Sequence, residues 1–227
     1  MSYKEKLTNS IEPNFTFSKK PLNRFEFQEI KADSKNNQIK DLKKLIDSIE
    51  NCNLKNNSKN LILGDGNINS PIMIIGEAPG VEEEEANKTF QGESGALLEK
   101  MLLAINLKKK DIYSTYAINF RTPEDRKPTS HEIKRYSTFT KEHISIIDPK
   151  IVILFGSTAM ESITSSKNKI SHERGKWKEI ILKNKTYPLM ITFSPSYLIR
   201  FPENKKFSWI DLKKIRQKMI DLKIKTQ

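Results

Sequence analysis

From residue 61 to residue 222 short apolar runs alternate with longer stretches of helical period, and this alternation constrains the fold more than any other feature. Runs of strand length stand at residues 71–75, 112–118, 151–155 and 189–193. The first and third are continuously apolar, as in strands buried on both faces. Between them, residues 95–105 repeat Leu98, Met101, Leu102 and Ile105 on one helical face, and residues 129–147 repeat Ile133, Tyr136, Thr140, Ile144 and Ile147. Thr129 and Glu132 have capping-box spacing at the start of the second helix, and Pro149 stops it. A shorter helix is expected after Gly156 and a long one over residues 204–222, burying Trp209, Leu212, Ile215, Met219 and Leu222. Strands separated by helices predict an α/β fold with a parallel sheet covered on both faces, whose sites lie at the carboxyl ends of the strands.

The flanking segment reads differently. Residues 1–36 lack a sustained period and are expected to form an extended or partly disordered arm, leaving residues 37–226 as the domain with its core at about 60–222. Ile39, Leu42, Leu45, Ile46 and Ile49 fall at helical spacing and predict a short amphipathic helix over residues 37–50. No apolar run approaches the ~18 residues that a membrane span needs, and residues 1–20 are polar, so neither a membrane protein nor a secreted one is expected. Cys52 is the only cysteine, which excludes disulfide scaffolds, multi-cysteine zinc sites and cysteine-ligated iron–sulfur clusters, and fits the reducing cytoplasm.

A net charge of +12 favours a polyanionic partner through counterion release. Only seven of the 40 basic residues are Arg, the side chain that reads phosphates bidentately, and a chain rich in Lys, Asn and Ile also fits a biased genome. The distribution is more telling. Residues 200–227 hold nine Lys or Arg against three Asp or Glu, so half of the net charge lies in one short segment.

Three strand ends carry candidate chemistry. The first runs into Gly76-Glu77-Ala78-Pro79-Gly80, where the glycines permit a tight turn and Glu77 offers a carboxylate that could orient a water or stabilise a cation. The pentapeptide alone fits equally well a strand-to-helix turn with an N-terminal helix charge. The third strand ends in Gly156-Ser157-Thr158, a small-residue turn able to present N–H groups to a phosphate. The fourth ends in Ser194-Pro195-Ser196-Tyr197-Leu198-Ile199-Arg200, a mixture suited to gripping a backbone and wedging into a base stack, or to capping the last helix with Leu198 and Ile199 in the core. The acidic run Glu82 to Glu85 reads as a solvated first helical turn, and His131, His143 and His172 as surface or packing residues.

Together these segments resemble the uracil-DNA glycosylase superfamily, most closely its bacterial family-4 enzymes. The resemblance rests on GEAPG (76–80), TFQGESGALLEKML with Phe90, Gly92 and Gly95, DPKIVILFGSTA (148–159), Arg174-Gly175-Lys176-Trp177, and SPSYLIRFPENKKFSWIDLKKIR (194–216). It implies a three-layer αβα sandwich around a four-stranded parallel sheet, and a monomeric enzyme that flips a base out of DNA and hydrolyses its glycosidic bond. On this resemblance Glu77 and Ser194 are the catalytic positions, Phe90 stacks on the flipped base, and Gly76, Ala78, Gly80 and Tyr116 contact it. Tyr197 and Leu198 belong to the wedge, while Ser157, Ser196, Arg200 and Lys205 hold DNA phosphates.

Departures from the family pattern are informative. The family ordinarily carries four cysteines around an iron–sulfur cluster, whereas here Phe120 and Tyr136 fall at later cysteine positions, so a chain without cofactor is expected, its cluster space filled by packing. Ser194 stands where the family has His, and Tyr116 where it has a base-reading Asn, although Asn119 lies three residues on. Two alternatives follow: a weak or silent relative that binds damaged or single-stranded DNA, and a glycosylase with changed base preference. No Walker or dinucleotide fingerprint supports an unrelated nucleotide-binding protein.

Overall fold

The computed structural model describes residues 30–224 of the chain, with side chains from Lys35 onward. The arm expected over residues 1–36 therefore lies almost wholly outside the described residues. Among the described residues nine α-helices and six strands follow one another in the order α1 (Ile30–Asp47), α2 (Asn53–Asn57), β1 (Asp65–Gly66), β2 (Ile72–Gly76), α3 (Val81–Ala86), α4 (Gly92–Leu103), β3 (Tyr113–Tyr116), α5 (Ser130–Ile147), β4 (Ile151–Phe155), α6 (Ser157–Thr164), α7 (Ile170–Glu173), β5 (Trp177–Leu182), β6 (Lys185–Thr192), α8 (Pro195–Arg200) and α9 (Lys205–Asp221). None of the described helices is long and apolar enough to cross a membrane.

The sheet runs β1-β3-β2-β4-β6-β5. Its centre, β3-β2-β4-β6, is the parallel set expected, and antiparallel β1 and β5 extend it to six strands. Strand period 2 sorts the core. Ile72 and Ile74 of β2 and Ile151, Ile153 and Phe155 of β4 face Leu98, Met101 and Leu102 of α4 and Leu212, Ile215 and Met219 of α9. Their alternates, Met73, Ile75, Val152 and Leu154, face Ile144 and Ile147 of α5 and Met160 and Ile163 of α6. This yields the three-layer αβα sandwich, with each fully buried aliphatic side chain contributing about 1.5–3 kcal/mol.

Edge strand β5 carries charges and is only half buried, so its alternation is faint in the sequence. It pairs with β6 through Lys183 and Asn184, both at positive φ, the geometry of a two-residue hairpin turn made without glycine. Other expectations need correction. Trp209, placed by periodicity in the core, is 44% exposed, because α9 buries the face carrying Ser208, Asp211, Leu212 and Ile215. Helix α1 starts at Ile30, ahead of residue 37, and buries Leu42 and Ile46 while Leu45 is exposed. The acidic run is solvated only in part: Glu82 and Glu85 of α3 are exposed, but Glu83 and Glu84 are buried.

A third apolar cluster joins Leu42 and Ile46 of α1 to Cys52, Leu54, Phe120, Ile133 and Tyr136. Here Cys52 Sγ lies 3.2 Å from the Tyr136 hydroxyl, and Phe120 meets Tyr136 edge-on at 6.3 Å. One thiol among rings and aliphatic groups does not fit a four-cysteine cluster.

His143 of α5 is buried, its Nε2 2.9 Å from the Tyr113 hydroxyl, and burial pushes its pKa down to about 3. The unfolded chain takes up a proton near the ordinary value of ~6.5, whereas the fold refuses it until about 3. The stability from the neutral ring is thus complete above ~6.5 and is lost as pH falls. His143→Gln keeps a donor and an acceptor but cannot titrate. Urea melts of this variant are expected to lose about 2–3 kcal/mol less stability than wild type between pH ~7 and ~4; an unchanged pH slope would refute the assignment.

Candidate active site

Register aligns the carboxyl ends of the central strands in one row: Gly76 pairs with Tyr116, Ile75 with Leu154, and Phe155 with Thr192. The segments that leave these ends enclose a cleft of about 590 Å³. Gly76, Glu77, Ala78, Gly80, Phe90, Tyr116, Ser157, Ser194, Ser196, Tyr197 and Arg200, eleven residues singled out in the sequence, all line it.

Glu77 is fixed by the start of α6. Its Oε1 accepts the Thr158 N–H at 3.0 Å and the Ser157 hydroxyl at 3.3 Å, while Oε2 has no partner among the described residues. Gly156 makes this possible: its φ is +95°, and a Cβ there would lie 2.2 Å from the Glu77 carboxyl carbon. Ser157, expected on a DNA phosphate, thus also helps to orient the carboxylate. Thr158, singled out in the sequence only for the backbone N–H of its turn, adds a buried hydroxyl with no partner among the described residues.

Glu83 organises the opposite wall. Its Oε2 accepts the Gly80 N–H at 2.9 Å and its Oε1 the Gln91 N–H at 3.0 Å, tying the GEAPG loop to the loop that carries Phe90. Gly80's N–H is thereby taken, contrary to its expected contact with a base. Phe90 holds a positive φ of 48°, uncommon for a bulky residue, and its N–H donates to the Tyr116 hydroxyl at 2.8 Å. The two rings lie 5.0 Å apart at 35°, both almost wholly buried. Gly76 completes this packing, since a Cβ there would come within 2.8 Å of both rings. Burial, reinforced by the Glu83 carboxylate, pushes the Tyr116 phenol far above its ordinary pKa, so it stays protonated. Tyr116 thus packs against the Phe90 ring on which a base was expected to stack. Asn119 does not substitute for an amide here: it is buried with Nδ2 donating to the Ile62 carbonyl at 3.0 Å.

Ser194 is the N-cap of α8. Its Oγ accepts the Tyr197 N–H at 3.3 Å and lies 3.1 Å from the Ser196 hydroxyl. Leu198, expected at the tip of a wedge, is 1% exposed and part of the core, because α8 turns it toward α4. The apolar group exposed at the C-terminal cap of α8, next to Tyr197 and Arg200, is Phe201, which was not foreseen from the sequence. Lys205 is exposed at the start of α9 and does not line the cleft. The cleft also takes in Thr122, Asp125, Arg126, Lys127 and Pro128, a loop with no periodicity to betray it, held by the Arg126–Glu132 ion pair at 2.7 Å. Among the described residues no histidine lines the cleft.

A family model described as the uracil DNA glycosylase superfamily matches residues 63–214. The chain is 32% identical over 154 residues to the type-4 uracil-DNA glycosylase of Thermotoga maritima, covering 67% of this chain and 79% of that protein. It is 30% identical over 169 residues to the type-4 uracil-DNA glycosylase of Pyrobaculum aerophilum (71% and 86%), and 28% identical over 181 residues to that of Archaeoglobus fulgidus (78% and 91%).

Proposed function

The chain belongs to the uracil DNA glycosylase superfamily, and from that membership we propose that it hydrolyses the N-glycosidic bond of uracil or a related deaminated base in DNA. One observation carries the proposal: the Glu77 carboxylate, the Phe90 ring and residues 194–200 converge on a single cleft at the ends of parallel strands. A cleft of this kind receives a base only after the nucleotide is flipped out of its stack. The bond from C1′ to the base nitrogen then breaks with its electron pair going to the base. Water adds to the oxocarbenium-like sugar and passes its proton by way of the Glu77 carboxylate to solvent, from which the departed base takes one up.

In this reading Glu77 Oε2 holds the water or faces the developing cation, because Oε1 is committed to α6. Main-chain groups of Gly76 and Ala78 meet the base edge, Ser194 donates toward the departing base, and Ser196, Arg200 and Lys205 hold phosphates. The enzyme acts as a cytoplasmic monomer and carries no iron–sulfur cluster. An anaerobic preparation is expected to be colourless and to contain less than one iron per chain; a visible charge-transfer band with several irons would overturn this.

The direct test uses oligonucleotides carrying one uracil, hypoxanthine or xanthine, with alkali cleavage of the abasic product. Slow excision, strongest on uracil, is expected. Absence of excision from all three, by folded protein that still binds DNA, would favour the second reading, a silent relative that binds damaged or single-stranded DNA. That reading draws support from Tyr116 lying against Phe90 and from the Ser194 hydroxyl acting as a helix cap.

A further inference from the structure

Phe193, Tyr197 and Phe201 recur at four-residue spacing and form a continuous ring column, the first pair stacked at 4.8 Å and 24° and the second tilted at 4.9 Å and 38°. The column continues beyond Phe193. The Arg174 guanidinium lies 5.9 Å from the Phe193 ring and 5.4 Å from that of Phe207, and Lys206 Nζ is 5.1 Å from Phe207. Arg174 is held in place by a forked ion pair to buried Asp211 and by donation to the Phe207 carbonyl at 2.7 Å. Phe193 in the middle of the column is buried and Tyr197 and Arg174 are half-buried, whereas its two ends, Phe201 at 45% and Phe207 at 38%, are open to solvent.

Single exposed aromatic residues are common and need no explanation. Here the exposed ring terminates a stack that starts inside the cleft, where Phe193 and Tyr197 are lining residues, and its sequence neighbours Arg200, Lys205 and Lys206 are exposed cations. Aromatic faces beside cations are the means by which proteins hold single-stranded nucleic acid, with bases on the rings and phosphates on the charges. We propose that single-stranded DNA is the preferred partner of this surface, and that a base next to the flipped nucleotide extends the column by stacking on Phe201. A base inside a duplex already has both faces covered by its neighbours and cannot do so without being unstacked. The inference rests on the glycosylase reading and assigns the strand form of its substrate.

The test measures binding separately from chemistry. Fluorescence anisotropy of the full chain with a uracil-free thymidine 20-mer, and with a hairpin duplex of the same charge, is expected to give about tenfold tighter binding to the single strand. Phe201→Ala and Phe201→Leu are expected to weaken single-strand binding by about 5- to 50-fold, with duplex affinity changed less than about twofold. The leucine variant retains an apolar side chain without a ring face, so a loss in both variants identifies stacking. Single-strand affinity unchanged in both, or equal losses on the two forms, would overturn the proposal; the latter result would make Phe201 a duplex wedge. Thermal melts monitor folding, which substitution of an exposed side chain leaves intact. Uracil excision is read on the same proteins. Phe201-dependent binding without excision defeats only the glycosylase reading, and excision without Phe201-dependent single-strand binding defeats only this one.

Discussion

Glu77→Ala is expected to lower single-turnover uracil excision by about 10²- to 10³-fold while changing DNA affinity by less than about twofold. The size of the effect follows from preorganisation. Oε1 is anchored by the Thr158 N–H and the Ser157 hydroxyl, so the carboxylate need not reorganise as charge develops on the sugar. Gly156→Ala supplies an independent check. The added methyl would fall 2.2 Å from the Glu77 carboxyl carbon, at a backbone φ of +95° that disfavours alanine, and must displace the side chain. This variant should reproduce most of the Glu77→Ala loss although Glu77 is intact. If wild-type excision survived both changes, Glu77 would not be the catalytic carboxylate.

That Glu77 and Gly156 would meet was only partly legible in the sequence. The runs IMII and IVILF announced central strands because both faces are buried and every residue is apolar, and strands of that kind fix where their ends lie. Loops after strands 80 residues apart in sequence are thus brought together by register alone. What no local pattern reveals is the identity of hydrogen-bond partners. Glu83 and Glu84 look like surface charge until the fold delivers the N–H groups of Gly80 and Gln91 to one, and the Ser58 hydroxyl, Lys59 N–H and Arg121 to the other. Although burial opposes ionisation of Glu84, those donors outweigh it and leave its pKa lowered. Leu198 and Trp209 failed for a related reason. Both lie on helices that carry apolar side chains on more than one face, so periodicity alone did not say which face meets the sheet. The loop of residues 122–128 has neither period nor motif, and only tertiary structure brings it to the cleft.

The combination of Tyr116→Asn with Ser194→His is expected to raise uracil excision by about 100-fold, each change contributing about tenfold. Tyr116 now packs 5.0 Å from the Phe90 ring, with its hydroxyl engaged by the Phe90 N–H. Asparagine removes the phenyl group, uncovers Phe90 and brings an amide that can donate and accept at a base edge, which a single hydroxyl cannot do on both sides. The Tyr116 phenol remains protonated throughout any practical pH range, so raising pH cannot substitute for the mutation. Ser194→His introduces a larger donor toward the departing base in a cleft that has no histidine, but it removes the α8 cap to the Tyr197 N–H, at a cost of about 1 kcal/mol in stability. The predicted signature is therefore a faster enzyme that melts slightly earlier. The single variants separate the contributions: Tyr116→Asn should shift selectivity toward uracil over hypoxanthine and xanthine, whereas Ser194→His should accelerate all three. Single-turnover rates on the three substrates, with anisotropy and thermal melts in parallel, decide the matter. A double variant that folds and binds DNA yet excises none of these bases would remove the enzyme reading and leave a DNA-binding protein built on a glycosylase fold.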